Sequence, residues 1–196
     1  MARTPNRSRE RLLLDTVAYV AEHGVADLGL RQLAAAIGTS HRMLIYHFGS
    51  KEGLLIAVIR AVEEEQRRTS AELVLDPSLS PTDVMRLMWQ RFADPALWPN
   101  ERLFIEVYGR ALHARPNAGE LLDDIVDSWL EPIAARHRRQ GVPKSAARAQ
   151  ARLEVAVVRG LLLDLLATGD TAGADDAFEQ FVRLYETWLA QHPTTR

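Results

Sequence analysis

LRQLAAAIGTSHRMLIYHFGSKEGLL, residues 30–55, reads as two short helices, a tight corner and the start of a third helix. Leu30, Leu33, Ala34 and Ile37 recur at helical spacing, and Gly38 follows where a helix closing on a left-handed residue favours glycine. Thr39 and Ser40 then offer an N-cap, and a second apolar pair, Leu44 with Phe48, begins four residues after Ser40. About three residues join the two helices, the connection length of a helix-turn-helix. Ala34 lies on the face that must receive the second helix, where a larger side chain would hold the two axes apart.

The other face of the second helix carries hydrogen-bonding and cationic groups: Ser40, His41, Arg42, Tyr46 and His47. Met43, Leu44 and Phe48 are not needed on that side. From His41 to Phe48 such a helix is about 12 Å long, which suits a major groove about 12 Å wide. Ser50 can cap the next helix, whose first turn holds Lys51 and Glu52, and a helix N-terminus with a lysine is suited to a phosphate. Phosphate contacts fix register, so sequence discrimination falls to His41, Arg42 and their neighbours. With Arg31 and Thr39 added from the preceding helix and the turn, the candidate DNA-binding set is Arg31, Thr39, Ser40, His41, Arg42, Tyr46, His47 and Lys51.

These residues resemble the DNA-binding domain of the TetR family of transcriptional regulators. There the helix-turn-helix ends in an aromatic-rich run, a Phe, a short gap and Ser-Lys-Glu-x-Leu-Leu; here that signature is Ile45, Tyr46, His47, Phe48, Gly49, Ser50, Lys51, Glu52, Gly53, Leu54 and Leu55. Two positions depart from the family pattern. Ile45 stands where members commonly carry a tyrosine that hydrogen-bonds a phosphate, which moves that role to Tyr46, and Gly29 stands where a Thr or Ser cap is usual. The resemblance implies an all-α chain with a three-helix DNA-binding domain, residues 1–50, and a larger helical effector-binding and dimerisation domain, residues 51–196. It also implies operator DNA and a small-molecule effector as partners, and a homodimer joined through the last two long helices. Repression is the commonest activity in the family.

Composition agrees with a folded regulator. The chain has 196 residues, 47% of them hydrophobic, and no cysteine, which removes disulfides, thiol catalysis and thiolate metal sites together. No apolar run approaches the roughly 20 residues of a membrane span, and Met1 to Asn6 lacks an apolar signal core, so a cytoplasmic location is expected. The formal net charge of −2 divides unevenly. Arg3, Arg7, Arg9, Arg11, Arg31, Arg42 and Lys51 against Glu10, Asp15, Glu22 and Asp27 give residues 1–51 a charge of +3, which leaves −5 on the rest. A basic front on an acidic body fits contact with phosphate at one end; ordinary charge scatter gives such a split as well.

Taken in order, residues 2–7 are polar and cationic and read as a mobile arm, able to lie along phosphates or in the minor groove, or without a role. Ser8 reads as the cap of a first helix with the stripe Leu13, Val17, Ala18 and Ala21, stopped at His23 by Gly24. A helix from Lys51 to about Leu75 carries Leu54, Leu55, Val58, Ile59 and Val62, then the solvated run Glu63, Glu64 and Glu65. No linker separates the domains, so this helix belongs to both. Asp76 to Pro81 reads as a loop, with Ser80 and Pro81 opening a helix of Val84, Met85, Met88, Trp89 and Phe92, broken by Asp94, Pro95, Trp98 and Pro99. Asn100 to Ala114 forms the next, with Leu103, Phe104, Val107, Tyr108 and Leu112, ended by Pro116 and Gly119. A further helix runs from Glu120 through Leu121, Leu122, Ile125, Trp129 and Leu130 to Arg139, with a kink expected at Pro132. His137, Arg138 and Arg139 suit its C-terminus before Gly141.

In the last two helices Leu153, Val157, Gly160, Leu161, Asp164 and Leu165 lie near one stripe, and Phe178, Phe181, Val182, Tyr185, Trp188 and Leu189 form a broad apolar face. That is more apolar surface than one chain covers, and Gly160 lets another helix come close. The expected dimer interface is therefore Leu153, Val157, Gly160, Leu161, Phe181, Tyr185 and Trp188, with a monomeric core as the alternative. Met85, Met88, Trp89, Phe92, Phe104, Val107, Tyr108 and Trp129 suit a pocket for a flexible apolar ligand and equally suit a core. Tyr108, His113 and Asn100 are its candidate polar contacts. No Glu-x-x-His pair, His-x-x-x-His zinc pair, Gly-x-Ser-x-Gly elbow or phosphate-binding glycine loop is present, so neither enzyme, metal nor cofactor is expected. The expected protein is a dimeric, ligand-responsive DNA-binding regulator; the alternative is a constitutive DNA-binding or helical protein-interaction dimer without an effector.

Overall fold

The computed structural model describes residues 5–24, 28–74, 78–113 and 119–190. Among the described residues the regular elements are all helical: α1 Pro5–His23, α2 Leu30–Ala36, α3 His41–Phe48, α4 Lys51–Val74, α5 Pro81–Phe92, a 3-10 turn Pro95–Leu97, α6 Trp98–His113, α7 Gly119–Arg139, α8 Lys144–Thr168 and α9 Thr171–Ala190. They form two compact units: Met1–Glu65 with Pro99–Leu121, and Gln66–Trp98 with Leu122–Arg196. α4 runs without a break from the first into the second, as its sequence pattern implied. Residues 2–4 of the expected arm, Asp76, Pro77, Pro116 and the side chains of His113, Leu121 and Leu122 lie outside the described residues.

In the first unit, α1 starts at Pro5 and not at a Ser8 cap, because proline has φ preset for the first helical position and no N–H there to satisfy. Its buried line is Leu12, Thr16 and Val20, one residue before the expected stripe, and Ala18 is exposed. Thr16 is buried at no hydrogen-bonding cost, since its hydroxyl donates to the Leu12 carbonyl at 2.6 Å. With Leu33, Ala34, Leu44, Phe48, Leu54, Leu55, Val58 and Ile59 these residues form the interior of the first unit. Glu63 is buried too, which leaves Glu64 and Glu65 as the exposed remainder of the acidic run.

In the second unit, Ser80 and Asp83 form a reciprocal capping box at the start of α5. Its core packs Met85, Trp89 and Phe92 of α5 against Leu162 and Leu165 of α8 and Phe178, Phe181, Val182 and Tyr185 of α9. Trp89 stacks on Phe178 at 4.9 Å and donates its indole N–H to Asp175 at 2.7 Å; Phe92 meets Trp129 edge-on at 5.9 Å. Trp98 and Pro99 open α6 where a break was expected, and Trp98 donates to the Ala93 carbonyl at 3.0 Å. Pro132 lies exposed inside an α7 that continues to Arg139.

Phe181 and Tyr185 are corrections to the expected dimer interface. Both are interior to the chain, Tyr185 with 1% of its surface exposed, because α5, α7 and α8 already cover the broad face of α9. Val157, Leu161 and Trp188 are partly buried against the same core. What faces outward on α8 is a different line: Ala149, Leu153, Ala156, Gly160, Leu163 and Ala167, all exposed and spaced alternately by four and three residues. Leu184 of α9 is 69% exposed.

Candidate nucleic-acid interface

The corner between α2 and α3 is built from backbone hydrogen bonds. Ile37 ends α2, Gly38 takes φ +68°, Gly38 N–H reaches the Ala35 carbonyl at 3.3 Å and Thr39 N–H reaches the Ala34 carbonyl at 2.8 Å. This pair of bonds is a Schellman motif, and it stops α2 while turning the chain at once into the next helix. Ser40 Oγ accepts from Met43 N–H at 3.2 Å and caps α3. Ala34 is buried on the receiving side, and Leu44 and Phe48 are the buried residues of α3. The N-cap of α2 is Gly29, with no side-chain hydrogen bond, as its lack of a hydroxyl dictates.

That packing decides which side chains α3 offers. Arg42 and Tyr46 are one turn apart and both exposed, Tyr46 by 74%; His41 is exposed at the helix start. Met43 is also exposed, so the outward face is less polar than the sequence pattern implied. His47 is half-buried beside Tyr46 and Phe48, and its Nε2 is buried without a hydrogen-bond partner. Its ring is therefore turned partly into the unit, away from the set headed by Arg42. Arg31 and Ser40 are exposed, while Thr39 and Lys51 are half-buried.

α3 passes into α4 through a second tight corner. Gly49 has φ +78°, Ser50 N–H bonds the Phe48 carbonyl at 2.9 Å, and Ser50 Oγ accepts from Gly53 N–H at 3.0 Å. Glycine suits the position between Glu52 and Leu54, since a Cβ on Gly53 would run into the Phe48 carbonyl oxygen. Lys51 thus begins α4 three residues after Phe48, the last residue of α3. The side chains that could hold an anion, Arg42, Lys51 and the α4 N-terminus, come from consecutive elements locked by hydrogen bonds.

The residues expected to line an effector pocket divide between the two units. Met85, Met88, Trp89, Phe92 and Trp129 belong to the second, where Met85, Trp89 and Phe92 are fully packed core and Met88 and Trp129 retain some surface. Ser70 donates to Met88 Sδ at 3.2 Å; Arg67 donates to Ser128 at 3.0 Å and lies 6.0 Å from the Trp129 ring centre. Phe104, Val107 and Tyr108 belong to the first, where Phe104 and Tyr108 stack at 5.4 Å and Val107 is buried. Asn100, also in the first unit, has its Oδ1 buried without a partner. The buried polar cluster of Arg136, His137, Gln140, Glu154 and Tyr185 was missed by the sequence pattern, whose only signal was the cationic end of α7.

A helix-turn-helix with a capped, outward-facing second helix, heading an all-helical chain, defines the class of helical DNA-binding proteins. Residues 12–58 match the family described as bacterial regulatory proteins, tetR family. The chain is 35% identical over 103 residues to the transcriptional repressor AcnR of Corynebacterium glutamicum, a match covering 52% of this chain and 50% of that protein. With the regulator BetI of Cronobacter sakazakii it shares 24% identity over 94% of each chain. The chain thus spans about half the length of AcnR and nearly all of that BetI. These relatives are named as transcriptional regulators, not enzymes. Among solved structures, a transcriptional regulator of Rhodococcus sp. superposes with a TM-score of 0.73 at 19% identity, covering 90% of this chain and 95% of that one. A regulator of Saccharomonospora viridis in complex with choline superposes with a TM-score of 0.66 at 22% identity, covering 92% and 95%. These likenesses give the fold.

Proposed function

We propose that the protein is a homodimeric transcriptional regulator that binds an inverted-repeat operator through α3 and leaves it when a small molecule binds, most simply a repressor. The supporting observation is the face of α3: Arg42 and Tyr46 point outward from a helix held at both ends by hydrogen-bonded corners. In this reading residues 1–50 bind DNA and residues 51–196 dimerise and sense the effector. Arg42 and His41 read base edges, Tyr46, Ser40, Thr39, Arg31 and Lys51 hold phosphates, and the half-sites lie about 34 to 36 Å apart or a multiple of it. A cytoplasmic location belongs to the same reading; among the described residues no helix is long and apolar enough to cross a membrane.

The effector contacts are assigned to Met88 and Trp129, the members of the candidate set in the second unit that keep surface. The continuous α4 supplies the lever, because a helix has no internal joint at which a displacement would dissipate. To carry the population from 1:99 to 99:1 the effector must favour the released state by about 5.5 kcal/mol. The choline complex of the Saccharomonospora regulator supports a small ligand as the kind to try first. The burial of Met85, Trp89 and Phe92 favours the second reading, a constitutive DNA-binding dimer without an effector. Titrating DNA from upstream of the protein's own gene, alone and with compounds that calorimetry shows to bind, separates the two. Equal operator affinity with every bound compound leaves only the constitutive dimer, and no preference for that DNA over random sequence removes the regulator itself.

A further inference from the structure

Arg9 stands on the second turn of α1, exposed, with its guanidinium carbon 5.1 Å from the centre of the Phe48 ring. Among the described residues it makes no ion pair, whereas Arg11 pairs with Asp15 at 3.9 Å. A guanidinium lying over a ring face keeps its N–H donors in its own plane, directed at the surroundings. Phe48 is a rigid support. It is buried as the last residue of α3, its carbonyl accepts from Ser50 N–H, and the following turn leads straight to Lys51.

We infer that Arg9 is a phosphate-binding residue of the DNA face, preorganised by Phe48. This rests on the DNA-binding reading above and extends it to a residue of α1, outside the helix-turn-helix. Contact with the ring removes some of the rotamer freedom that an exposed arginine would otherwise lose on meeting a phosphate, and it holds the charge at the corner where α3 ends and α4 begins. A phosphate contact there carries no base discrimination, so Arg9 should strengthen binding to all sequences alike. The competing role is purely structural, a tie between α1 and α3 that never touches DNA.

The test is the salt dependence of binding to a random-sequence duplex and to DNA from upstream of the gene, using the full chain. Arg9→Met keeps an apolar cover on Phe48 and removes only the charge; Arg9→Lys restores the charge; Lys51→Ala is the reference. Each lost phosphate contact lowers the slope of log affinity against log salt by about 0.9 and a twofold dimer loses two, so between 50 and 200 mM salt the unaltered protein should weaken about 12-fold more than Arg9→Met on both DNAs. Arg9→Lys should recover the slope. An unchanged slope for Arg9→Met, with Lys51→Ala reducing it, overturns the inference and leaves Arg9 as a tie. Failure of the unaltered protein to bind either DNA overturns the DNA-binding reading instead.

Discussion

Nδ1 of His137 lies 2.7 Å from the Tyr185 hydroxyl, which itself donates to Gln140 Oε1 at 2.6 Å. Both rings are buried, and on the far side of the imidazole Nε2 stands 3.3 Å from Glu154, out of hydrogen-bond alignment. Glu154 is also held by Arg136, whose guanidinium donates to Oε1 at 2.7 Å. α7, α8 and α9 therefore meet in a polar layer inside an otherwise apolar unit. Replacing one member strands its partners: Glu154→Gln should cost about 3–5 kcal/mol by leaving Arg136 buried without its counter-charge. Tyr185→Phe removes a neutral partner and should cost about 1–3 kcal/mol. Urea unfolding of the three proteins checks both values and their order.

The same pair sets an acid dependence. Burial pushes the Glu154 carboxyl up, but the charge of Arg136, the nearness of His137 and the hydrogen bonds from Arg136 outweigh it and hold the group below its ordinary value. The unfolded chain then takes up the proton first as pH falls, so stability rises with pH in that range. The contribution is complete above the unfolded carboxyl value of about 4.3 and is lost as pH drops through the lower folded one. Unfolding midpoints between pH 6 and pH 3, with Glu154→Gln alongside, should show a shallower acid fall in the variant; parallel curves would remove Glu154 as the source.

Arg42→Ala should cost about 1–3 kcal/mol on the best DNA site and relax preference at particular base pairs. Lys51→Ala should weaken all sequences alike, because a phosphate contact positions without reading. Binding-site selection followed by sequencing distinguishes the two. An unaltered preference in Arg42→Ala would mean that another part of the outward face, Tyr46 or Met43, reads the bases.

Gly53→Ala tests the second corner. The added Cβ would run into the Phe48 carbonyl oxygen, and neither backbone can yield without loosening the end of α3. A loss of about 1–3 kcal/mol is expected from the enforced shift, together with weaker DNA binding. Thermal unfolding that matches the unaltered protein would show that the corner has slack.

The helix-turn-helix was legible because its signals are local: Gly38 at a left-handed position, Ser40 as a cap, and Leu44 with Phe48 one turn apart all act within a few residues. Burial in the larger unit was not, since it depends on which helix covers which. Phe181 and Tyr185 have the composition of an interface, yet α5, α7 and α8 cover them within the chain. Thr16 was passed over and His47 misled for a related reason. A threonine bonded to its own helix can be interior, and a histidine on a polar-looking face can turn a nitrogen inward. The buried Arg136 and Glu154 carry charges, and His137 a polar ring, that no apolar periodicity would select for an interior.

Dimerisation is best tested on the outward line of α8. Leu153 and Leu163 are 51% and 53% exposed, and Ala156, Gly160 and Ala167 continue the same seam at the four-three spacing by which one helix meets another. Apart from its own helix backbone, nothing among the described residues lies within 4 Å of a Cβ placed on Gly160, so that position is open to an approaching backbone. In a twofold dimer each contact occurs twice, and covering a leucine stabilises by about 1.5–3 kcal/mol per copy. Leu163→Glu would remove that gain in both chains and place two carboxylates at the seam, while leaving the core untouched because Leu163 faces outward. The variant is expected to be a folded monomer by light scattering, with its helical circular dichroism unchanged and its affinity for an inverted-repeat site lost. Tyr185→Phe, an interior change, should lose stability and stay dimeric. A Leu163→Glu protein that remained a dimer would move the interface away from α8, and an unaltered protein with the mass of one chain would remove it.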